Sequence, residues 1–321
     1  MTSFVPSAGA QAEPPVAPPT SSPPRRKRRS RGIRTTRTQQ WISGWTFIAL
    51  PVVLFLVFFI IPIGAAAYLS LTDYSIIGEF SWVGIANYKA IFEDEFFWIA
   101  MRNTLYYTAL YVPLGILTSL GTALLLNRNT RVARVFRTLF YIPVVSSSVA
   151  TASIWIWLLN PQVGFINIAL GKFGIDGPAW LESSTWAMPA IIIMSVWAGF
   201  GGNMVILLGG LQGVPGHLYE AARIDGASKW QQFRYVTMPG ISKTMFLVTT
   251  LQIIGAFQVF DQAYIMTKGG PGNATVTIVY YIFDKGFGNL DMGYASAMSF
   301  VLFAIILVVS LINARVSNRS E

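Results

Sequence analysis

The chain has 321 residues, of which 53% are hydrophobic and only 12% charged, where soluble domains carry about 25% charge. It holds 23 Lys and Arg against 14 Asp and Glu, for a net charge of +9, with one histidine and no cysteine. These figures exclude a soluble domain, a disulfide framework and a thiolate metal site, and His217 alone builds no metal centre.

Residues 1–24 are rich in Pro, Ala and Ser, with nothing periodic to bury, and a basic run follows: Arg25-Arg26-Lys27-Arg28-Arg29, then Arg31, Arg34 and Arg37. Residues 1–40 are therefore predicted to be a disordered, Pro-rich and basic cytoplasmic tail. The next apolar run is roughly twice the 7–15 residues of a signal-peptide core, and no small-residue cleavage site closes it, so it reads as an uncleaved span. Six apolar segments reach the roughly 20 residues that a bilayer requires. They lie near 45–70, 103–126, 138–159, 187–211, 244–262 and 292–312. Together they make 41–315 one transmembrane domain, with a short tail at 316–321.

The loops between these spans alternate in charge. Segments 1–44, 127–137, 211–243 and 313–321 hold 18 of the 23 Lys and Arg, leaving Lys89, Arg102, Lys172, Lys268 and Lys285 on the other side. This positive-inside bias predicts cytoplasmic N- and C-termini. It also accounts for the basic excess without nucleic acid as a partner.

The first outer segment, 71–98, is acidic, with Asp73, Glu79, Glu93, Asp94 and Glu95 against Lys89. A solvated rim is the expectation, and docking of an external protein the alternative. After the Asn160-Pro161 turn, 160–181 predicts a short amphipathic helix in the outer interface. Phe165, Ile168 and Phe173 would hold it, with Trp180 and Trp186 at headgroup level. Gly199, Gly201, Gly202, Gly209 and Gly210 in the fourth span predict close helix packing. No G-x-x-x-x-G-K-[ST] loop is present, and no nucleophile–base or paired-carboxylate arrangement predicts an enzyme.

Polar groups inside spans cost free energy and usually line a path. Asn203 lies in the fourth span, and Gln252, Gln258, Asp261 and Gln262 in the fifth. Gln258 and Asp261, three apart, predict one helix face beside Phe257. An amide, a carboxylate and an aromatic ring suit a sugar. Interhelical hydrogen bonding is the alternative, and the favoured one for Gln252.

Between the fourth and fifth spans, Pro215 predicts a helix start and Gly226 a left-handed stop. Ser228 with Gln231 predicts a capping box opening a second helix, and Pro239 its end. Trp230, Phe233 and Val236 give that helix an apolar stripe. The product is two short helices joined by a sharp glycine bend.

The order Glu220-Ala221-Ala222, three residues, Gly226, nine residues, then Val236-x-Met238-Pro239 resembles the EAA loop of ABC importer membrane subunits. Asp225-Gly226-Ala227 and Thr267-x-Gly269-Gly270-Pro271 narrow the resemblance to the carbohydrate-uptake class of maltose and glycerol-phosphate type, over roughly residues 40–315. Val236 and Met238 stand where Ile and Leu are usual. Trp82-Val83-Gly84-x-x-Asn87-Tyr88 looks like that family's outer strand and turn.

The resemblance implies an all-α, six-span type I importer fold in the bacterial plasma membrane. It implies an ATPase-coupling element at 213–240 carried by Glu220, Ala221, Ala222, Asp225, Gly226 and Pro239. It points to a substrate pathway at Gly199, Gly202, Asn203, Phe257, Gln258 and Asp261. Ala256 and Val259 are apolar where the maltose member has amides, which argues against maltose itself. The implied partners are a second homologous permease, two copies of a cytoplasmic ATPase and an extracytoplasmic sugar-binding protein. ATP and Mg would sit on the ATPase, leaving no cofactor on this chain. Glycerol phosphate or another polyol is the alternative cargo, though the spans offer no Arg or Lys to a phosphate. A self-sufficient secondary transporter is the alternative mechanism. It would need ionisable groups deep in the spans, where only Asp261 comes close.

Overall fold

The computed structural model describes residues 37–78 and 81–318. The expected disordered stretch 1–36, Glu79 and residues 319–321 lie outside the described residues. The chain divides into two compact units, 1–56 and 57–321. The described part of the first is helix α1, Arg37–Phe55, so residues 37–40 are helical and the predicted tail is too long at its C-terminal end.

A π-turn at Leu56–Ile60 leads into α2, Ile61–Leu69. Residues 71–98 carry α3, Ala86–Glu93, which the sequence did not announce. Helix α4, Glu95–Leu126, is a span that starts eight residues before its predicted position at 103. Helices α5, Arg131–Val145, and α6, Ser148–Leu158, follow, then α7, Phe165–Lys172, within the stretch expected to form a short amphipathic helix. Helix α8, Ala187–Gly213, is the fourth predicted span. The loop holds α9, Gly216–Ile224, α10, Lys229–Gln232, and α11, Met238–Gly240. Helices α12, Ser242–Phe257, α13, Asp261–Met266, α14, Ile278–Phe283, and α15, Met292–Asn318, complete the chain. Helix α15 continues to Asn318, so residues 316–318, the start of the short tail read from the sequence, are helical.

Five helices are long and apolar enough to cross a membrane, and a sixth span forms if α5 and α6 count as one. The predicted third span, 138–159, is not a straight helix. It bends by 99° between Val145 and Ser148. Ser146 and Ser147 both take extended backbone, with ψ of 149° and 131°. Serines compete for backbone hydrogen bonds in this way, and Pro143 has already removed one amide from the preceding turn.

The fifth span is broken as well, at residues 258–260, between α12 and α13. The Val259 carbonyl leaves the helical ladder and accepts the Thr277 hydroxyl at 2.8 Å. The inference that Gln258 and Asp261 share one continuous helix face is therefore corrected, since the helix ends between them. Periodicity carries no sign of a distant side chain capturing a backbone carbonyl.

Residues 71–98 take part in isolated antiparallel bridges, Thr72 with Trp82 and Ser75 with Asp291, and there is no strand among the described residues. Asn87 Nδ2 donates to the Ser70 and Thr72 carbonyls at 3.0 and 2.8 Å, fastening α3 to this turn. Among the acids expected at a solvated rim, Asp73, Glu93 and Glu95 are exposed, but Asp94 has a structural place. Its carboxylate caps α4 by accepting the Phe96 and Phe97 amides at 2.9 and 3.4 Å. It also accepts the Tyr281 and Tyr294 hydroxyls, each at 2.7 Å. Burial pushes the Asp94 carboxyl up, but the two tyrosines and the two amides outweigh that and hold it below the ordinary carboxylate value.

Helices α4 and α8 make the most extensive helix pair, with α12 against α4 and α5 against α8. Lipid tails offer no hydrophobic drive between helices, so close approach and hydrogen bonds hold them. Ser119 Oγ donates to the Phe200 carbonyl at 3.1 Å, and Asn313 Nδ2 to Thr250 Oγ at 2.8 Å. Asn103 Nδ2 reaches the Asn273 and Val276 carbonyls at 2.8 and 3.0 Å and so ties α4 to the loop before α14. Gln252, expected to bond between helices, is buried against Gly115 with no hydrogen-bond partner for either amide atom.

Candidate functional site

Both helix breaks open onto one cleft of about 430 Å³. Free backbone groups at membrane depth are tolerable only where they are buried in protein or line a cavity. The wall from α4 is Tyr107 and Tyr111, whose rings stack with centroids 5.1 Å apart. The broken third span supplies Ser146, Ser148 and Thr151, and α8 supplies Ser195 and Gly199. The broken fifth span supplies Gln258, Val259, Phe260, Asp261 and Gln262. The lining therefore joins hydroxyls, amides, one carboxylate and aromatic rings to an aliphatic wall of Val144, Met194 and Val259, with neither Lys nor Arg.

Of the six residues expected on a pathway, Gly199, Gln258 and Asp261 line this cleft. Gly199 faces Tyr111, whose hydroxyl oxygen would lie 2.9 Å from a Cβ there. Gly202, Asn203 and Phe257 do not line it. Gly202 packs towards Val144, and Asn203 is half-buried elsewhere on α8. Phe257 is buried in an apolar cluster with Phe97, Met101 and Met298. The tyrosines and Ser195 were missed because nothing in the spacing of α4 shows which side of a span faces a cavity.

The loop between α8 and α12 forms the two helices read from the sequence. Pro215 is the cap and Gly216 the first helical residue, one position later than expected. Helix α9 closes with a paired bond set, the Ala227 amide to the Ala222 carbonyl at 2.8 Å and the Gly226 amide to the Arg223 carbonyl at 3.1 Å. This is the Schellman closure, which requires a left-handed residue after the cap, and Gly226 has φ +76°. The Ser228–Gln231 capping box is present in both directions.

Pro239 does not end the second helix. A π-turn at Phe233–Thr237 lets the Met238 amide reach the Phe233 carbonyl, and the chain stays helical through Gly240. Widening the turn in this way accommodates a residue that has no amide to donate.

Tyr219, Phe233, Val236 and Met238 pack on the core beneath the loop, and the Tyr219 and Thr237 hydroxyls meet at 3.0 Å. Glu220, Ala221, Asp225, Gly226 and Pro239 are exposed, and Ala222 is half-buried. Beside them Ile224, Trp230 and Tyr235 are 87%, 70% and 72% exposed. Trp230 lies beside Phe233 on the predicted apolar stripe, their ring centroids 5.4 Å apart, but it is the exposed end of that stripe.

Residues 112–321 match the family described as binding-protein-dependent transport system inner membrane component. A probable ABC transporter permease, YesP of Bacillus subtilis (strain 168), is 36% identical over 91% of this chain and 94% of its own length. The lactose transport system permease LacF of Rhizobium radiobacter is 34% identical over 84% of this chain and 92% of its own. In fold, the chain matches part of a bacterial ABC transporter involved in import of the polysaccharide alginate. The TM-score is 0.78, with 23% identity over 88% of this chain and 96% of that one. This chain therefore belongs to the family of binding-protein-dependent transport system inner membrane components, the ABC permeases of the type I fold.

Proposed function

We propose that this chain is one of two membrane subunits of a bacterial ABC importer for a sugar, and that the sugar passes through the cleft at the two helix breaks. The observation that carries this reading is the composition of that cleft. Hydroxyl, amide and carboxylate groups stand beside stacked tyrosine rings where two spans interrupt their backbones. Sugars are held by such hydrogen bonds, with an aromatic face against their C–H edge. The lack of a Lys or Arg in the lining favours a neutral sugar over a phosphorylated polyol. That a relative transports lactose by name supports a saccharide cargo.

In this reading the chain holds no ATP or Mg. Two copies of a cytoplasmic ATPase bind them and seat the exposed Glu220–Gly226 face together with Ile224 and Trp230. A second homologous permease completes the passage, and an external binding protein delivers the sugar. Closure of the ATPase pair carries α9 and α10 with it and turns the cleft from one side of the membrane to the other. Such a switch needs two states with different contacts, and the broken third and fifth spans are natural places for them to differ.

Asp261→Leu should abolish uptake while the complex assembles normally and the binding protein keeps its affinity for sugar. Uptake at the wild-type rate and normal expression would remove Asp261 from the pathway. Orientation is open to a separate measurement. A reporter fused after residue 315 should be cytoplasmic and one placed at Glu93 external, and finding both on one side would sink the N-in, C-in topology.

A further inference from the structure

We propose that Gln252 is a positioning residue of the transport cycle: its side-chain amide, unpaired in the arrangement seen here, bonds to Ser119 Oγ in the transporter's other state. The proposal rests on the two-state importer reading above and adds a residue pair whose contact differs between the states. Gln252 lies within α12 and is 4% exposed, yet neither Nε2 nor Oε1 has a hydrogen-bond partner. A polar group buried in that way destabilises the arrangement that holds it.

The amide is pressed on bare helix. A Cβ at Gly115 of α4 would lie 2.8 Å from Gln252 Oε1 and 3.0 Å from Nε2. Nearby polar groups on the same two helices are satisfied. Asn313 Nδ2 donates to Thr250 Oγ1 at 2.8 Å, and Ser119 Oγ donates to the Gly115 and Phe200 carbonyls at 2.6 and 3.1 Å. Four residues along α12 from Gln252, Ala256 shares an apolar cluster with Val112 of α4. Four residues back, Val248 shares another with Leu120 and Ala123. The two helices thus run in opposite directions, with Gln252 at the level of Gly115 and between the two clusters.

The bonds that fasten α4 to this half of the chain lie beyond the break at 258–260. Asn103 Nδ2 holds the Asn273 and Val276 carbonyls, and Thr104 Oγ1 accepts the Ile278 amide at 2.9 Å. The break separates α12 from that fastened block and serves as a joint. At its other end α12 follows directly on α11 and the 213–240 loop. A displacement of that loop therefore passes to α12. A one-turn shift of a helix past its neighbour is a known form of switching. Moved one turn towards Leu126, Gln252 leaves Gly115 and comes level with Ser119, four residues further along α4 and fully buried. A hydroxyl that donates to carbonyls keeps lone pairs to accept with, so Gln252 Nε2 finds its partner there. The amide thus favours the shifted state and opposes the present one.

The chain has no cysteine, so spin labels on Leu105→Cys and Leu247→Cys, both exposed, report the register of α4 and α12. The assembled transporter is measured in lipid nanodiscs, without nucleotide and trapped with ATP and vanadate. Two separations should appear, the shorter that of this structure and the longer that of the shifted state. Gln252→Met keeps the side chain's length without its hydrogen-bonding atoms. It should raise the share of the shorter separation relative to the longer about tenfold and slow sugar uptake. Ser119→Ala removes the partner instead, should shift the ratio the same way, and covers the case in which Gln252→Met fails to assemble. The double variant should shift it no further than Gln252→Met alone. One separation under every condition would overturn the proposal. So would the wild-type ratio in both single variants, which is the result if an internal water satisfies the amide in either state. A complex that shows both separations but carries no sugar would remove the cargo reading and leave this one standing.

Discussion

Gly226→Val should eliminate transport while the chain inserts in the membrane at normal levels. No atom lies within 4 Å of where a Cβ would sit at Gly226, so the substitution meets no steric obstacle. Its whole cost is in the backbone, because φ there is +76°. Left-handed geometry costs an ordinary L-residue roughly 1–2 kcal/mol, and a β-branched residue more. The chain escapes that cost by releasing the bonds from Gly226 to Arg223 and from Ala227 to Ala222, which turn α9 into α10. The Glu220–Ala221 face then no longer holds its angle to Trp230. The spans themselves are untouched, because the loop joins them only at its ends and through Tyr219, Phe233, Val236 and Met238.

The variant complex should shed its ATPase in detergent, or hydrolyse ATP without responding to the loaded binding protein. Gly226→Asn, which visits the left-handed region at small cost, should keep most of the transport. Glu220→Lys approaches the same contact from its charge and should uncouple equally. Wild-type sugar uptake by Gly226→Val would return the loop to the status of an amphipathic segment lying on the membrane.

The second large effect is on assembly. Gly201→Val should prevent the chain from reaching its folded state, because a Cβ at Gly201 would stand 1.9 Å from the Phe140 carbonyl oxygen and 2.8 Å from its carbon. Those atoms are backbone of α5 and cannot rotate aside, so α5 and α8 must separate. Overpacking costs typically 1–3 kcal/mol, and here the displaced element is the first limb of the bent third span, which carries the serine wall of the cleft. At roughly 2–4 °C per kcal/mol the expected loss in thermal midpoint is about 2–12 °C, with low membrane yield if assembly fails outright. Gly209→Ala is the control on the same helix, since nothing lies within 4 Å of it. Equal melting temperatures for Gly201→Val and wild type would show that α5 does not sit where these contacts place it.

Gly201 and Gly209 also mark where sequence reading stops. Both were read as packing residues of the fourth span, and only the tertiary contacts separate the one pressed on a neighbouring backbone from the one facing open space. Helix positions and types were legible because burial in lipid demands long uninterrupted apolar runs, and such runs are local properties of the chain. The loop between α8 and α12 was legible for the same reason. Its glycine stop and capping box are bonds between residues three to five apart, so the sequence states nearly the whole geometry. Pro239 is the exception, since a widened turn relieved what proline normally forces.

The cleft could not be read in that way. Gln258 and Asp261 were found because polar side chains inside a span are costly and therefore conspicuous. Their companions Tyr107, Tyr111 and Ser195 are ordinary residues of apolar helices until other helices place them. The break in the fifth span depends on a bond made across the fold, Thr277 on the Val259 carbonyl, eighteen residues away in the chain. By itself the sequence determined the number of apolar segments, their charge asymmetry and the bend at Gly226. The tertiary structure alone decided which faces meet, where the fifth span breaks and which polar groups share a cavity, because those outcomes rest on contacts between residues distant along the chain.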